Sequence, residues 1–302
     1  RKSTNNTSMS LVSTITPCYK GKSYLKEFLE DLPNQTMFEE IEVVLDHNDP
    51  DDEEITWVKD FQEKHPGRLK HIVTSPVEPI GISMNTCIKE ASADTLCIWN
   101  VDDLRAPYSI EAQYQAIKGD VELVNGNFTI VSEWKSYFGN YVDHALAHTT
   151  PKEYTRSMIL GPFFMFKKSL CEKGGYFDEQ LKSGADFDLA VRLAIHAKEV
   201  ALVRENLGWY LNEGKGASTR GDGRQPIERT VIEMRYGILD KIETQYLEGT
   251  RDFDIHQVIN YGEKISIEEL VPNYKKFLQT NCSFANKEAL DNKVKTIAPY
   301  YV

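Results

Sequence analysis

Between residues 10 and 105 the chain switches repeatedly between short β-branched apolar runs and segments whose apolar residues recur every three or four positions. "SLVSTIT" reads as a buried strand. It is followed by the turn-rich "PCYKGKS" and by a helix carrying Leu25, Phe28, Leu29 and Leu32 on one face. A second strand, "IEVVL", ends at Asp46 ahead of the acidic loop "DHNDPDDEE". A helix around Ile55, Val58 and Phe61 leads to a third strand, "LKHIVTS", and one with Met84, Cys87, Ile88 and Ala91 feeds a fourth, "TLCIWNV". Strands separated by amphipathic helices imply right-handed crossovers and an α/β domain with a mostly parallel central sheet flanked by helices. Such sheets bind ligands beyond the carboxyl ends of their strands, where Pro17, Asp46 and Asp102 fall.

Further along, a helix near Ile110, Tyr114 and Ile117 precedes the strand-like runs "VELVNGNFTIVSE" and "GPFFMFKKS". Then come a helix with an acidic start, "SGADFDLAVRLAIHAKE", and the strand "VALVRE". After Pro226 the segment "IERTVIEMRYGILDKIETQYL" reads as one long helix, and Ser266 with Glu269 as a capping box. The chain therefore divides into a polar, disordered tail or linker (1–9), one α/β domain (10–224) and a mainly helical C-terminal extension (225–302).

Charge narrows the function. With a net charge of −11 and a pI near 5.2, the chain is not a general binder of nucleic acid or anionic membranes. A phosphate-bearing ligand must be met by local donors or by a metal. No apolar stretch approaches the ~20 residues of a membrane span. The five cysteines are scattered without zinc-type pairs, and they read as buried thiols of a reducing compartment, cytoplasmic rather than secreted. The start at Arg1 reads as an excised piece of a longer chain. His144 and His148 sit at helical spacing without a third ligand, which argues against zinc. No GxGxxG, P-loop or GxSxG pattern occurs.

Three constellations remain. Asp102 and Asp103 follow a strand, where one or two carboxylates can hold Mn²⁺ or Mg²⁺ together with substrate phosphates; the alternative is a solvated turn with an Asx hydrogen bond. Asp186 and Asp188 open a helix, where free N–H groups and the helix dipole favour carboxylates on structural grounds alone. A carboxylate held there beside a cleft also suits a base that removes a hydroxyl proton, provided desolvation opposes the dipole. The glycine-rich "GWYLNEGKGASTRGDGR" carries Lys215, Arg220 and Arg224, either as a mobile segment closing over a diphosphate or as an exposed loop. Trp209 and Tyr210 within it can stack on a sugar or belong to the core.

Taken in order, these segments resemble the family 2 glycosyltransferases, which have the GT-A fold. "VSTITPCYKGKSYLKEFLEDLPNQT" is similar to that family's opening strand, Pro-x-Tyr loop and first helix, and "EVVLDHNDPDD" to its second strand. "GISMNTCIKEASADTLCIWNVDD" is similar to its Gly…Asn…Ala helix and DxD strand, and "GPFFMFKKSLCEKGGYFDEQLKSGADFDLAVRLA" to the segment ending in its Glu-Asp base motif. The resemblance implies transfer of a sugar from a nucleotide-sugar, most readily a UDP-sugar, with inversion. It places Pro17, Tyr19 and Asp46 around the nucleobase and ribose, Asn85 on the Gly…Asn…Ala helix beside the donor, and Asn100 on the ribose. Asp102, with Asp103 beside it, would hold Mn²⁺ or Mg²⁺, Asp186 would be the base, and Lys215 and Arg220 would meet the phosphates. Three positions depart from the pattern: Asn100 replaces the first Asp of DxD, Ala185 the Glu of Glu-Asp, and Glu213 a frequent histidine. They motivate an alternative, a non-catalytic GT-A-like module that binds a nucleotide-sugar or glycan. The acceptor, whether glycan, lipid-linked or protein, stays open.

Overall fold

The computed structural model describes residues 10–143, 161–214, 221–282 and 284–301. The first half alternates as the pattern requires: β1 (Val12–Tyr19), α1 (Leu25–Asp31), β2 (Ile41–Asn48), α2 (Asp52–Lys64), β3 (Leu69–Thr74), α3 (Ile80–Glu90) and β4 (Thr95–Ile98). After them come β5 (Leu104–Arg105), α4 (Ser109–Ala116), β6 (Val121–Val131), β7 (Asn140–Val142), β8 (Met165–Lys167), α5 (Ser169–Gly174), α6 (Ala185–His196) and β9 (Glu199–Leu211). These strands form one sheet in the order β3-β2-β1-β4-β8-β6-β9-β5, with β7 paired to β6. β1 to β4 are mutually parallel. Because β8 is antiparallel to both β4 and β6, and β6 is parallel to β9, all the long strands point one way.

The sheet is buried on both faces, and the period of two along each strand sorts its side chains between them. Val44, Leu96, Ile98, Leu123 and Phe166 join α3 and α6 in one core, while Val43, Leu45, Cys97, Trp99, Val124 and Met165 pack with α1, α2 and α4 in the other. This three-layer α/β arrangement is the architecture expected from the sequence. The expected helical faces are buried too: Leu25, Phe28, Leu29 and Leu32 on α1, and Met84, Cys87 and Ile88 on α3.

Several local expectations need correction. β1 and β2 run two or three residues past the expected ends, so Pro17 to Tyr19 and His47 to Asn48 are strand, in register as Pro17↔Asp46 and Tyr19↔Asn48. Gly208 serves close approach rather than mobility. It lies inside β9 opposite Arg105, and a Cβ there would sit 2.2 Å from the Leu104 carbonyl oxygen.

The long helix after Pro226 stops early, as α7 (Arg224–Arg235). Gly237 takes φ 70°, its N–H bonds to Met234 O at 3.2 Å, and the Ile238 N–H reaches Glu233 O at 2.8 Å. That is a Schellman ending, which needs a residue without Cβ strain at the left-handed position. Beyond it the chain is not uniformly helical: a hairpin of β10 (Gln257–Asn260) and β11 (Glu263–Ser266) precedes α8 (Ile267–Leu270), α9 (Tyr274–Asn281) and α10 (Lys287–Ile297). Ser266 caps α8 by accepting from Glu268 N–H rather than from N3.

Residues beyond 224 enter the same core as the sheet. Ile232, Tyr236, Ile238, Val258, Ile267 and Val271 are buried with Ile15, Val44 and α6. Among the described residues no helix is long and apolar enough to cross a membrane.

Candidate functional site

The parallel strands bring their carboxyl ends to one rim, where β1 ends at Tyr19, β2 at Asn48, β4 at Ile98 and β9 at Leu211. α6 supplies the descending arm that feeds β9, so its first turn, with Asp186, begins at that same rim. Chain direction thus places residues 17, 46, 102 and 186 toward the carboxyl-end side of the sheet, although they lie up to 169 positions apart.

After β4 the chain makes a tight turn, closed by Asp103 N–H to Asn100 O at 3.2 Å, with Val101 and Asp102 at its centre. The two aspartates part company here. Asp103 points inward: it is buried, accepts from Leu211 N–H at 3.2 Å and from the Asn100 amide at 3.1 Å, and so ties the turn to the end of β9. Burial and the neighbouring Asp102 push its carboxyl well above the usual range. Asp102 stays partly exposed, and no Lys or Arg among the described residues pairs with it. Desolvation raises it, its own N–H lowers it, and the charge of Glu213, just beyond β9, raises it again. A carboxylate destabilised by burial and by a second carboxylate is where a divalent cation relieves charge. Among the described residues no group of three or more His, Cys, Asp or Glu could hold a metal unaided. Asp102 offers one carboxylate ligand, so a cation here would complete its shell with substrate phosphates and water.

On the β1–β2 side Tyr19 is 51% exposed and Pro17 partly so. Asp46 is fully buried, accepting from the Thr74 hydroxyl at 2.7 Å, the Asn48 amide at 3.0 Å and the Ser83 hydroxyl. It braces the rim from below. Cys18, adjacent to Pro17, is pushed well up by burial and then by the charges of Glu54, Asp102 and Asp46.

Asp186 and Asp188 also divide. Asp188 is fully buried, bonded to Arg192 at 2.6 Å, Arg235 at 2.7 Å and the Tyr236 hydroxyl at 2.7 Å. Burial alone would raise it, but the two guanidiniums and the hydroxyl hold it down to about 2. Asp186 is partly exposed and accepts from the Phe187 N–H at 2.8 Å. Desolvation outweighs the lowering by that N–H and its own, and with Glu228 nearby its pKa is pushed up to about 6. The contest between helix start and burial is won by burial.

Two sequence expectations do not reach the rim. Asn85 is fully buried, its amide gripping both the C=O and the N–H of Phe177 at 2.9 Å, which pins the loop before α6. Arg224 turns to Glu228 in the next turn of α7. Trp209 donates from its indole N–H to Tyr137 O at 3.2 Å, and the two rings, 4.8 Å apart, line a 480 Å³ cavity with Asp31, Asn34 and Pro107. Lys215, Arg220, His144 and His148 lie outside the described residues, as does the 1–9 tail.

Sequence reasoning missed Glu228. It falls on the buried stripe of α7 with Val231, Ile232 and Arg235, a spacing of three, four and seven, and a carboxylate in an apolar stripe is the signal that marks it.

The family signature described as Glycosyl transferase family 2 matches residues 13–175, more than half of the chain. The chain belongs to that family. It is a glycosyltransferase, an enzyme of the transferase class. An uncharacterized glycosyltransferase of Methanocaldococcus jannaschii is 27% identical over 212 residues, 66% of this chain and 70% of that protein. The poly(ribitol-phosphate) β-N-acetylglucosaminyltransferase of Staphylococcus aureus is 20% identical over 277 residues, 85% of this chain but only 47% of that protein. A crystal structure of residues 1–349 of the latter, with UDP-GlcNAc, superposes with a TM-score of 0.63 at 15% identity, covering 96% of this chain and 89% of that one. A mannosyltransferase of Pyrobaculum calidifontis with GDP-Man and Mn²⁺ gives 0.55 at 16% identity, covering 96% and 75%. The fold shared by this glycosyltransferase and these proteins is GT-A.

Proposed function

We propose that this glycosyltransferase is a metal-dependent, inverting enzyme that transfers a sugar from a UDP-sugar to an acceptor hydroxyl. The observation that carries the reading is Asp186, held at the start of α6 on the same rim as Asp102, with a carboxyl raised to about 6. Ionised at neutral pH yet more basic than an ordinary aspartate, it matches what a general base requires. Asp186 takes the proton of the acceptor hydroxyl as that oxygen bonds to the anomeric carbon from the face opposite the diphosphate. The bond from that carbon to the diphosphate breaks, and the nucleoside diphosphate leaves. Asp102 would hold Mn²⁺ or Mg²⁺, which when bound offsets the charge growing on the departing diphosphate. Pro17 and Tyr19 face the nucleoside, with Asp46 bracing them, and Asn100 faces the ribose. Asp103 positions that turn rather than meeting the ion. The likeness to a fold that holds UDP and UDP-GlcNAc supports UDP as the nucleotide.

The test pairs binding with turnover. UDP with Mn²⁺ is expected to raise the melting temperature of the parent, and a chelator to reverse it, because ligands of the native state stabilise by mass action. Asp102→Ala should lose the metal-dependent part of that rise. Asp186→Asn should keep it while transfer, or slow donor hydrolysis, falls ~10²–10⁴-fold. A metal-dependent rise that survives Asp102→Ala overturns the metal assignment, and parent-rate transfer by Asp186→Asn overturns the base.

A further inference from the structure

Glu228 occupies an unusual position for a carboxylate. It is fully buried on α7, yet its backbone partners lie 44–46 residues away, in the three residues that lead into α6. One oxygen, Oε2, accepts from the backbone N–H groups of Lys182 at 2.9 Å, Ser183 at 2.7 Å and Gly184 at 2.8 Å, and from the Ser183 hydroxyl at 3.1 Å. The other accepts from Lys182 N–H at 3.1 Å and from the Arg224 guanidinium. Successive N–H groups converging on one point make an anion-binding concavity. Here the anion is supplied by the protein itself, one residue before Ala185 and two before Asp186.

This concavity cannot tolerate much change. Gly184 packs so closely that a Cβ on it would meet Glu228 Cβ at 3.3 Å and Ile232 Cδ1 at 2.9 Å. α6 lacks a side-chain N-cap of its own. The restraint that a capping Ser or Asp would supply comes instead from the neighbouring helix.

We propose that Glu228 is the positioning residue of Asp186: it fixes the first turn of α6 through the 182–184 backbone and sets its negative charge beside the Asp186 carboxyl. The inference rests on the reading of Asp186 as the base. Among the described residues the other charges near α6 are otherwise engaged. Asp188 is neutralised by Arg192 and Arg235, with Asp178 also on Arg235, and Lys182 projects into solvent. Among the described residues Glu228, partly balanced by Arg224, is the charge that acts on Asp186. It raises the carboxyl, adding to desolvation.

Two substitutions separate this role from simple loop anchoring, because their electrostatic effects have opposite signs. Glu228→Gln removes a negative charge and should lower the Asp186 titration midpoint. Arg224→Ala leaves Glu228 less compensated and should raise it. Loss of anchoring alone would move both variants the same way. The midpoint is read on the full chain labelled with ¹³C-aspartate, following the Asp186 carboxyl carbon, whose signal is identified by its loss in Asp186→Asn. The acid limb of kcat should shift in parallel. Opposite shifts support the proposal, and unmoved or same-direction midpoints overturn it. Should Glu228→Gln fail to fold, Arg224→Ala decides alone: a midpoint that does not rise overturns the role. The parent reading is tested apart, since Asp186→Asn at parent rate removes the base whatever Glu228 does.

Discussion

At the scale of single residues, two pairs of aspartates make the same point. Asp102 and Asp103 are chemically identical neighbours, as are Asp186 and Asp188 two positions apart, and in each pair one is consumed by the fold. The consequence for Asp186 is testable as stability. Its folded pKa of about 6 lies above the unfolded value near 3.8, so the folded state binds this proton more tightly. Well below the unfolded value both states are protonated and the residue is neutral in its effect; the destabilisation builds between the unfolded and folded values. As pH rises through 6 it becomes an ionised, desolvated group that destabilises the fold. Asp186→Asn should therefore raise the melting temperature at pH 7.5, by about 1–2 kcal/mol of stability given its partial exposure, and leave it nearly unchanged well below the unfolded pKa, at about pH 3. A melting temperature unmoved at pH 7.5 would show that the carboxyl is not desolvated. Which aspartate of a pair is free was not written in the motif, because the deciding partners, Leu211 N–H for Asp103 and Arg235 for Asp188, come from more than 45 residues away.

Elements set the geometry that residues use. The turn from Asn100 to Asp103 is fastened to β9 by one buried carboxylate, and β9 in turn pairs with β5 across Leu104↔Trp209. Asp103→Asn keeps an acceptor for Leu211 N–H and adds no exposed change, so metal-dependent UDP binding should survive it while Asp102→Asn abolishes it. Thermal-shift titration with Mn²⁺ and UDP distinguishes the two, and equal losses would mean that both aspartates meet the ion. Gly208→Val should break the β5–β9 pairing, because its Cβ would enter the space of Leu104 O, costing on the order of 1–3 kcal/mol in urea denaturation. The helices and strands up to β4 were readable because hydrophobic period follows local chain geometry. Gly208, Gly237 and the end of α7 were misread, since a glycine looks the same whether it frees a loop, ends a helix or admits a neighbouring backbone.

The whole molecule closes around a buried ionic cluster. Arg235 on α7 binds Asp178 at 2.9 Å and Asp188 at 2.7 Å, and also donates to the carbonyls of Asp254, Ile255 and Gln257. It joins the loop before α6, α6 itself and the C-terminal extension. Removing one partner of such a cluster leaves uncompensated buried charge. Arg235→Met should destabilise the protein by about 3–5 kcal/mol, measured by urea unfolding. The depressed Asp188 contributes stability above pH 4 that is lost as pH falls toward 2. Truncation after residue 224 would strip Ile232, Tyr236, Val258 and Ile267 from the core that α6 rests on. A truncated chain should lack cooperative unfolding, and a sharp transition at the parent temperature would show that 10–224 folds alone.

Period and chain order by themselves determined the α/β sheet and its mostly parallel sense, and placed Pro17, Asp46 and Asp102 toward the carboxyl ends of its strands, because amphipathic spacing and right-handed crossovers are local rules that leave few topologies. Tertiary packing decided the rest: that Asp46, Asn85 and Asp103 are consumed as struts, that Asp186 alone in its helix turn is raised, and that Glu228 lies behind it. Burial and the partners a carboxylate finds set its charge, and both come from segments that the sequence keeps far apart.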